Sequence, residues 1–268
     1  MDILQSFLLG LLQGLTEFLP ISSSGHLALG KYFLGENNEA GLTFEIVVHF
    51  GTLCSILIYY RALIADILKS GVGFLAAPKE RKSDPNVKMI LFVLVSMIPA
   101  FIVGFTLKDS VEEIFDSPFL VSIMLIVTGF ILFLTKFAQE KEGEVTLGNS
   151  FIIGLAQAFA MIPGISRSGS TISTALYFGV KREDAANFSF LMVIPVIGGA
   201  MLLQILDLME KGIDAVQVTS LLVGFFTAFI SGYYALKYLI VILKKKGFHY
   251  FAYYTWLVGG AGIIYFWI

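Results

Sequence analysis

The chain alternates long apolar runs with short polar breaks, and the spacing of the breaks gives the layout. Residues 3–19 are apolar, but Pro20 and Ser22-Ser23-Ser24-Gly25 stop them, and the apolar stretch 27–34 that follows is short. A hydrocarbon core about 30 Å thick needs about 20 helical residues. Two short arms around a polar turn therefore predict a re-entrant hairpin, tolerated where protein or a wet cavity covers its backbone. Full-length spans are expected at 43–60, beyond a polar loop at 87–107, and at 118–138. The series then recurs: 150–163 and 171–180 flank a second polar turn, and 187–206, 216–243 and 250–268 read as spans. The pattern predicts one all-α polytopic membrane domain with six transmembrane helices and two re-entrant helical hairpins.

The recurrence extends to individual residues. Shifted by 144 positions without a gap, Gly10, Leu11, Gln13, Ile21, Ser22, Ser24 and Gly25 fall on Gly154, Leu155, Gln157, Ile165, Ser166, Ser168 and Gly169, and Phe44 falls on Phe188. Chance agreement between greasy segments favours Leu and Ile, whereas this one includes Ser-x-Ser-Gly and a Gln. Two repeats are expected, about 1–140 and about 145–268. Each holds one hairpin and three crossings, and an odd number of crossings inverts the second copy relative to the first, as in many transporters.

Loop charges test that inversion, because cytoplasmic loops are enriched in Lys and Arg. Arg61, Lys69, Lys79, Arg81, Lys82 and Lys88 follow the first span. The next loop is acidic, with Asp109, Glu112, Glu113 and Asp116 against Lys108. Lys136, Lys141, Lys181 and Arg182 come next, then acidic Asp207, Glu210 and Asp214 against Lys211, then Lys244, Lys245 and Lys246. The alternation suits six crossings with both termini outside, and it brings the two polar tips together near the midplane.

Composition agrees with a membrane protein. Of 268 residues, 57% are hydrophobic and only 14% charged, against roughly 25% charged in soluble domains. The net charge of −2 says nothing about nucleic acid, but the chain has no basic nucleic-acid patch, so no nucleic-acid partner is expected. The single cysteine, Cys54, rules out an intrachain disulfide and is expected as a small buried hydrophobe. The first basic residue, Lys31, follows the N-terminal apolar run, which therefore lacks the charged region of a signal peptide and is expected to stay in the mature protein.

The differences between the repeats carry the chemistry. Glu17, Ser23 and His26 in the first copy face Met161, Arg167 and Ser170 in the second. A charge in hydrocarbon costs at least about 2.5–3.5 kcal/mol, so an intramembrane carboxylate points to function. Gln13 and Glu17 share one helix face, and Glu17 beside hydroxyls can hold a hard cation such as Mg²⁺ or Ca²⁺. Arg167 is a ready counter-charge, and a guanidinium in a serine- and glycine-rich turn suits bidentate phosphate binding. His26 can act as base, acid or nucleophile. His49 and His249 are expected to be structural, and Glu45, at the start of a span, is a weaker candidate. The set describes a wet pocket for a phosphorylated or pyrophosphorylated lipid whose tail stays in hydrocarbon.

The pairing of Gln13-x-x-x-Glu17 and Pro20-Ile-Ser-Ser-Ser-Gly-His26 with Pro163-Gly-Ile-Ser-Arg-Ser-Gly-Ser-Thr171 resembles the bacitracin-resistance family of undecaprenyl-diphosphatases over the whole chain. That family's first motif is Glu-or-Gln, three residues, then Glu, and this chain carries the Gln form. The resemblance implies hydrolysis of undecaprenyl diphosphate to the monophosphate carrier lipid of cell-wall synthesis, a divalent cation, and a site open to the outer face of the bacterial plasma membrane. By position it implies Glu17, Ser23, His26 and Arg167 as the catalytic core. Ser22, Ser24, Gly25, Ser166, Ser168, Gly169 and Thr171 become phosphate contacts, and Glu17 and Gln13 metal ligands. A homodimer is compatible with this reading.

The expected chemistry is phosphoryl transfer dominated by positioning and charge stabilisation. Either Ser23 or His26 serves as nucleophile, or Ser23 orients a water. The rival class is a transporter or lipid flippase, since inverted repeats with midplane sites are transporter architecture. The unequal division of Glu, Ser, His and Arg between the copies favours catalysis over binding alone.

Overall fold

The structure, a computed structural model, describes residues 2–34, 40–106, 113–115, 117–139, 141–211 and 215–267. Of the loop charges, Lys108, Asp109, Glu112, Asp116 and Asp214 lie outside the described residues. Regular structure among the described residues is helical, apart from one isolated bridge between Gly143 and Val180. Twelve α-helices are described: α1 Ile3–Phe18, α2 Ser23–Leu34, α3 Ala40–Tyr59, α4 Arg61–Ala76, α5 Pro78–Arg81, α6 Pro85–Thr106, α7 Pro118–Leu134, α8 Leu147–Phe159, α9 Arg167–Tyr177, α10 Arg182–Lys211, α11 Ala215–Lys244 and α12 Phe251–Trp267.

Among the described residues, three helical stretches are long and apolar enough to cross a membrane, Pro85–Thr106, Pro118–Phe137 and Val218–Lys244. A fourth is added if the bent pair Thr43–Tyr59 and Arg61–Ala76 counts as one span. Large apolar side chains such as Phe101, Phe105, Tyr238, Leu257 and Ile264 face outward. In α6 only 11% of the most apolar window is buried. These are the surfaces of a multi-pass membrane protein.

Two expectations need correction. The polar loop expected between 60 and 87 is largely helix α4, which departs from α3 at an angle of 79°. Arg61, Asp66 and Lys69 are interleaved with Leu63, Ile64, Leu68 and Val72 at helical spacing. Leu63 and Ile64 pack on the core while Leu68 and Val72 stay exposed, so α4 is a helix with apolar residues on its inner and outer sides rather than an irregular loop. The serine turn is also shorter than expected, since Ser23, Ser24, Gly25 and His26 already belong to α2.

The two hairpins are built alike at the 144-residue offset. Asp2 caps α1, its side chain accepting from the Gln5 amide at 2.7 Å, while Gln5 Oε1 accepts from the Asp2 amide at 2.8 Å. Thr146 and Asn149 make the same reciprocal pair at the start of α8, a capping-box arrangement. α1 ends where Leu19, which precedes Pro20, is extended, because proline disfavours the α conformation in the residue before it. After each turn a serine hydroxyl accepts the amide three residues on, Ser22 from Gly25 at 3.2 Å and Ser166 from Gly169 at 3.0 Å. Each serine is also paired with the hydroxyl two residues on, Ser24 at 3.3 Å and Ser168 at 3.4 Å.

Small residues let each first arm approach a long helix closely. A Cβ on Gly10 would lie 2.6 Å from the Gly224 carbonyl oxygen in α11, and one on Gly154 would lie 2.3 Å from the Ser96 carbonyl oxygen in α6. Phe18 meets Phe190 edge-on at 5.6 Å. These rings belong to a buried core that includes Ile56, Tyr60, Phe188, Leu236 and Phe248.

Candidate active site

α1 and α2 carry the first polar turn, α8 and α9 the second, and the two tips touch. A Cβ on Gly25 would stand 3.0 Å from Gly164 Cα, and Ser168 Oγ lies 3.5 Å from the Leu19 carbonyl oxygen. The second tip is pinned by Thr128 of α7, whose hydroxyl donates to the Gly164 carbonyl at 2.8 Å and accepts from the Ser166 amide at 3.0 Å. Gly164 has φ +93° with its Cβ direction blocked by the Val121 carbonyl, so only glycine fits this close, left-handed position. In the first tip Ser22 holds φ +69°, uncommon for a residue with a side chain.

Glu17 is the hub. Its side chain is only 5% exposed, and Arg167 Nη2 donates to its Oε1 at 2.7 Å. The other oxygen, Oε2, accepts from Ser23 Oγ at 2.6 Å and from Gln13 Nε2 at 3.0 Å. His49 Nε2 stands 3.7 Å from the same Oε2. Arg167 Nη1 and Gln13 Oε1 are buried without a hydrogen-bond partner. An unused donor and an unused acceptor beside one carboxylate are costly unless something occupies them.

His26 faces elsewhere. Its Nδ1 lies 2.8 Å from the Ser22 carbonyl oxygen, which can only accept, so Nδ1 carries the proton. Its Nε2 lies 3.0 Å from the Tyr254 hydroxyl of α12, and the two rings are stacked at 5.6 Å. The ring nitrogens thus contact Ser22 and Tyr254 rather than Glu17 or Ser23. Thr171 Oγ1 is 2.9 Å from the Arg167 carbonyl oxygen and 2.6 Å from Ser189 Oγ. It steadies the start of α9 behind the guanidinium. Glu45 accepts from Lys31 Nζ at 2.5 Å, which ties α2 to α3.

The structure therefore joins Gln13, Glu17, Ser23 and Arg167 directly and sets Ser22, Ser24, Gly25, Ser166, Ser168 and Gly169 in the two tips around them. Sequence reasoning assigned His49 to a structural role, and it missed Tyr254, Thr128 and Ser189. Position 193, the repeat counterpart of His49, is a valine, so the repeat gave no signal there. A hint for His49 was its i, i+4 relation to Glu45. One of eleven tyrosines, as Tyr254 is, offers none.

As a metal centre the group is sparse. Among the described residues no three His, Cys, Asp or Glu side chains gather as ligands. Glu17 and the free amide oxygen of Gln13 fit a hard cation that takes one or two protein oxygens and completes its shell with phosphate and water. Two cavities of about 260 and 390 Å³ lie at the Lys141–Lys181 edge. Neither is lined by the residues of the Glu17 cluster.

The sequence profile of the family described as bacitracin resistance protein BacA matches residues 6–261. The chain belongs to the BacA family. A Salinibacter ruber protein named undecaprenyl-diphosphatase is 42% identical over 264 residues, 97% of this chain and 97% of its own length. A Christiangramia forsetii protein of the same name is 40% identical over 99% of this chain and 98% of its own. An undecaprenyl-diphosphatase 4 from Bacillus thuringiensis is 40% identical over 97% and 95%. The BacA-family match runs through both tips, so Glu17 and Arg167 fall inside it.

Proposed function

We propose that this BacA-family chain hydrolyses undecaprenyl diphosphate to undecaprenyl phosphate and inorganic phosphate, recycling the carrier lipid of peptidoglycan synthesis and thereby countering bacitracin. The observation that carries the reading is the Arg167–Glu17–Ser23 chain of contacts, 2.7 and 2.6 Å long, across two tips. A hydroxyl, a carboxylate and a guanidinium in one cluster support nucleophile, proton-acceptor and phosphate-binding roles, and the full-length relatives named undecaprenyl-diphosphatase support the substrate class.

In the mechanism that follows, the terminal phosphate of the lipid diphosphate is held by Arg167 Nη1, the donor left unpaired inside the site. Ser23 Oγ attacks the terminal phosphorus as its proton passes to Glu17 Oε2. The bond from that phosphorus to the bridging oxygen breaks, and undecaprenyl phosphate leaves. Water then cleaves the serine–phosphate bond, releasing inorganic phosphate and restoring the Ser23 hydroxyl. His26, with Nε2 at the Tyr254 hydroxyl, moves protons on the leaving-group side. Ser22, Ser24, Ser166, Ser168 and Thr171 support the tips that receive the phosphates. Glu17 and Gln13 would hold a divalent cation, Mg²⁺ or Ca²⁺, whose charge neutralises the diphosphate.

The chain is further proposed to sit in the bacterial plasma membrane as an inverted repeat of about 1–140 and 145–268. It would have six crossings and two re-entrant hairpins, with the site open to the outer face. The shared capping pattern of α1 and α8 and the paired glycine contacts at Gly10 and Gly154 support that layout. The test is phosphate release from a polyprenyl diphosphate by the purified protein, with and without chelator. Release that chelation abolishes is expected. Absence of release together with lipid movement in vesicles would replace the enzyme with a flippase.

A further inference from the structure

α12 reaches the first tip through an aromatic seam. His26, Leu29, Tyr32 and Phe33 lie on one face of α2 at helical spacing, and that face runs along α12. Leu29 belongs to a buried cluster against which Val258 and Phe266 pack. Tyr32 meets Phe266 edge-on at 5.0 Å, and Phe33 meets Tyr265 at 5.4 Å. At the tip end of the seam Tyr254 stacks on His26, with ring centroids 5.6 Å apart and planes 8° from parallel. The packing of the two helices thus fixes which residue of α12 stands over the imidazole.

The hydrogen bonds of that imidazole follow from what each partner can do. The Ser22 carbonyl only accepts, so Nδ1 of His26, 2.8 Å away, carries a proton. In the neutral ring Nε2 is then a bare acceptor, and the Tyr254 hydroxyl 3.0 Å away is its donor. A phenol accepts as well as donates, so the contact remains a hydrogen bond in either charge state of the ring. His26 is only 7% exposed, and without the hydroxyl a buried ring nitrogen would be left unpaired. An imidazole held at Nδ1 alone turns about that bond, whereas one held at both nitrogens and stacked on a flat neighbour does not. We propose that Tyr254 is a positioning residue for phosphoryl transfer, holding His26 by Nε2 so that the imidazole keeps one orientation beside the serine turn. It acts through His26 and does not touch the phosphate. The inference rests on the hydrolase reading above, in which His26 moves protons, and adds a residue of α12 to it.

Tyr254→Phe keeps the stacked ring and deletes only the hydroxyl. Because the task is alignment of a proton-moving group, kcat should fall about 10-fold with KM within about two-fold, the lower end of what outer partners of histidine contribute in metal sites. In a His26→Ala background the same change should lower kcat no further, since a residue that acts through His26 has nothing to act on once the ring is gone. The assay is steady-state phosphate release from farnesyl diphosphate in detergent, on variants with wild-type elution profiles. A second measurement needs no turnover: nitrogen NMR of protein labelled in its three histidine rings, with His26 assigned by its loss in His26→Ala. Tyr254→Phe should shift the Nε2 resonance of His26 and leave that of Nδ1 in place. Wild-type kcat in Tyr254→Phe, a change in KM alone, a fully additive loss on His26→Ala, or an unmoved Nε2 resonance would each overturn the assignment. Where His26→Ala turns over too slowly to compare, the single variant's kcat and the resonance decide. A wild-type protein that releases no phosphate would overturn the hydrolase reading and the positioning role with it, while the Nε2 resonance would still report whether Tyr254 holds the ring.

Discussion

Glu17 and Arg167 are 150 residues apart in the chain and 2.7 Å apart in space. The guanidinium gives one nitrogen to the carboxylate and keeps Nη1 buried and unpaired. An arginine that served only to neutralise Glu17 would have no reason to hold a second donor in reserve.

That reserve predicts the outcome of a conservative change. Arg167→Lys keeps the charge, so the pair with Glu17 survives, but the planar fork and its second donor are lost. We expect turnover to fall about 10²–10³-fold, the scale set by other charge-stabilising donors. The check is kcat for phosphate release on folded protein, and turnover equal to wild type would reduce Arg167 to a counter-ion. Glu17→Gln should fall too, and should need more Mg²⁺ for half-maximal rate, because an amide is a poorer ligand for a hard cation.

The contact between tips predicts a short cross-link. Ser24 and Ser168 sit beside the serines that cap α2 and α9, and the tips approach within van der Waals range at Gly25 and Gly164. Cysteines at positions 24 and 168, in a Cys54→Ala background, should be joined by a short bifunctional reagent. If only long reagents join them, the two-tip site is wrong.

Membrane orientation can be read with the same chemistry. Single cysteines replacing Lys82 or Lys245 should resist an impermeant thiol reagent in intact cells, while positions 116 and 211 should react. Labelling at 82 from outside would defeat the inverted arrangement.

The glycine contacts predict stability effects that mirror each other. Gly10→Ala and Gly154→Ala each push a methyl group to within 2.6 and 2.3 Å of a facing carbonyl oxygen, so α1 must move off α11 and α8 off α6. Overpacking of this kind costs about 1–3 kcal/mol. Both variants should melt earlier in detergent, and a variant with an unchanged melting temperature would show that its helix pair has slack.

Much of the site was legible because the repeat aligned Ser23 with Arg167 and thereby placed Glu17 opposite a cation before any coordinates. The all-helical, multi-pass character followed equally from the apolar runs. What pattern reading lost was local and geometric. The serines looked like turn formers, but Ser22 and Ser166 accept amides from Gly25 and Gly169, so the helices start earlier than the polar run suggests. The segment after Tyr60 carries enough charge to look like a loop, yet its apolar residues sit at helical spacing. His49 could not be ranked, because a lone histidine in an apolar helix has the same signature whether it faces Glu17 or packing.

The backbone-to-backbone contacts of Gly10 and Gly154 also bear on how the molecule could ever change shape. Where backbone meets backbone at these two points, α1 and α11 have little room to slide, and neither do α8 and α6. Any opening toward the other side of the bilayer would move these pairs as blocks and part the tips where Glu17 grips Arg167. The Glu17–Arg167 bond is the latch such a movement would have to release. On the proposed mechanism, splitting the diphosphate and carrying the lipid across would be competing uses of a single ion pair.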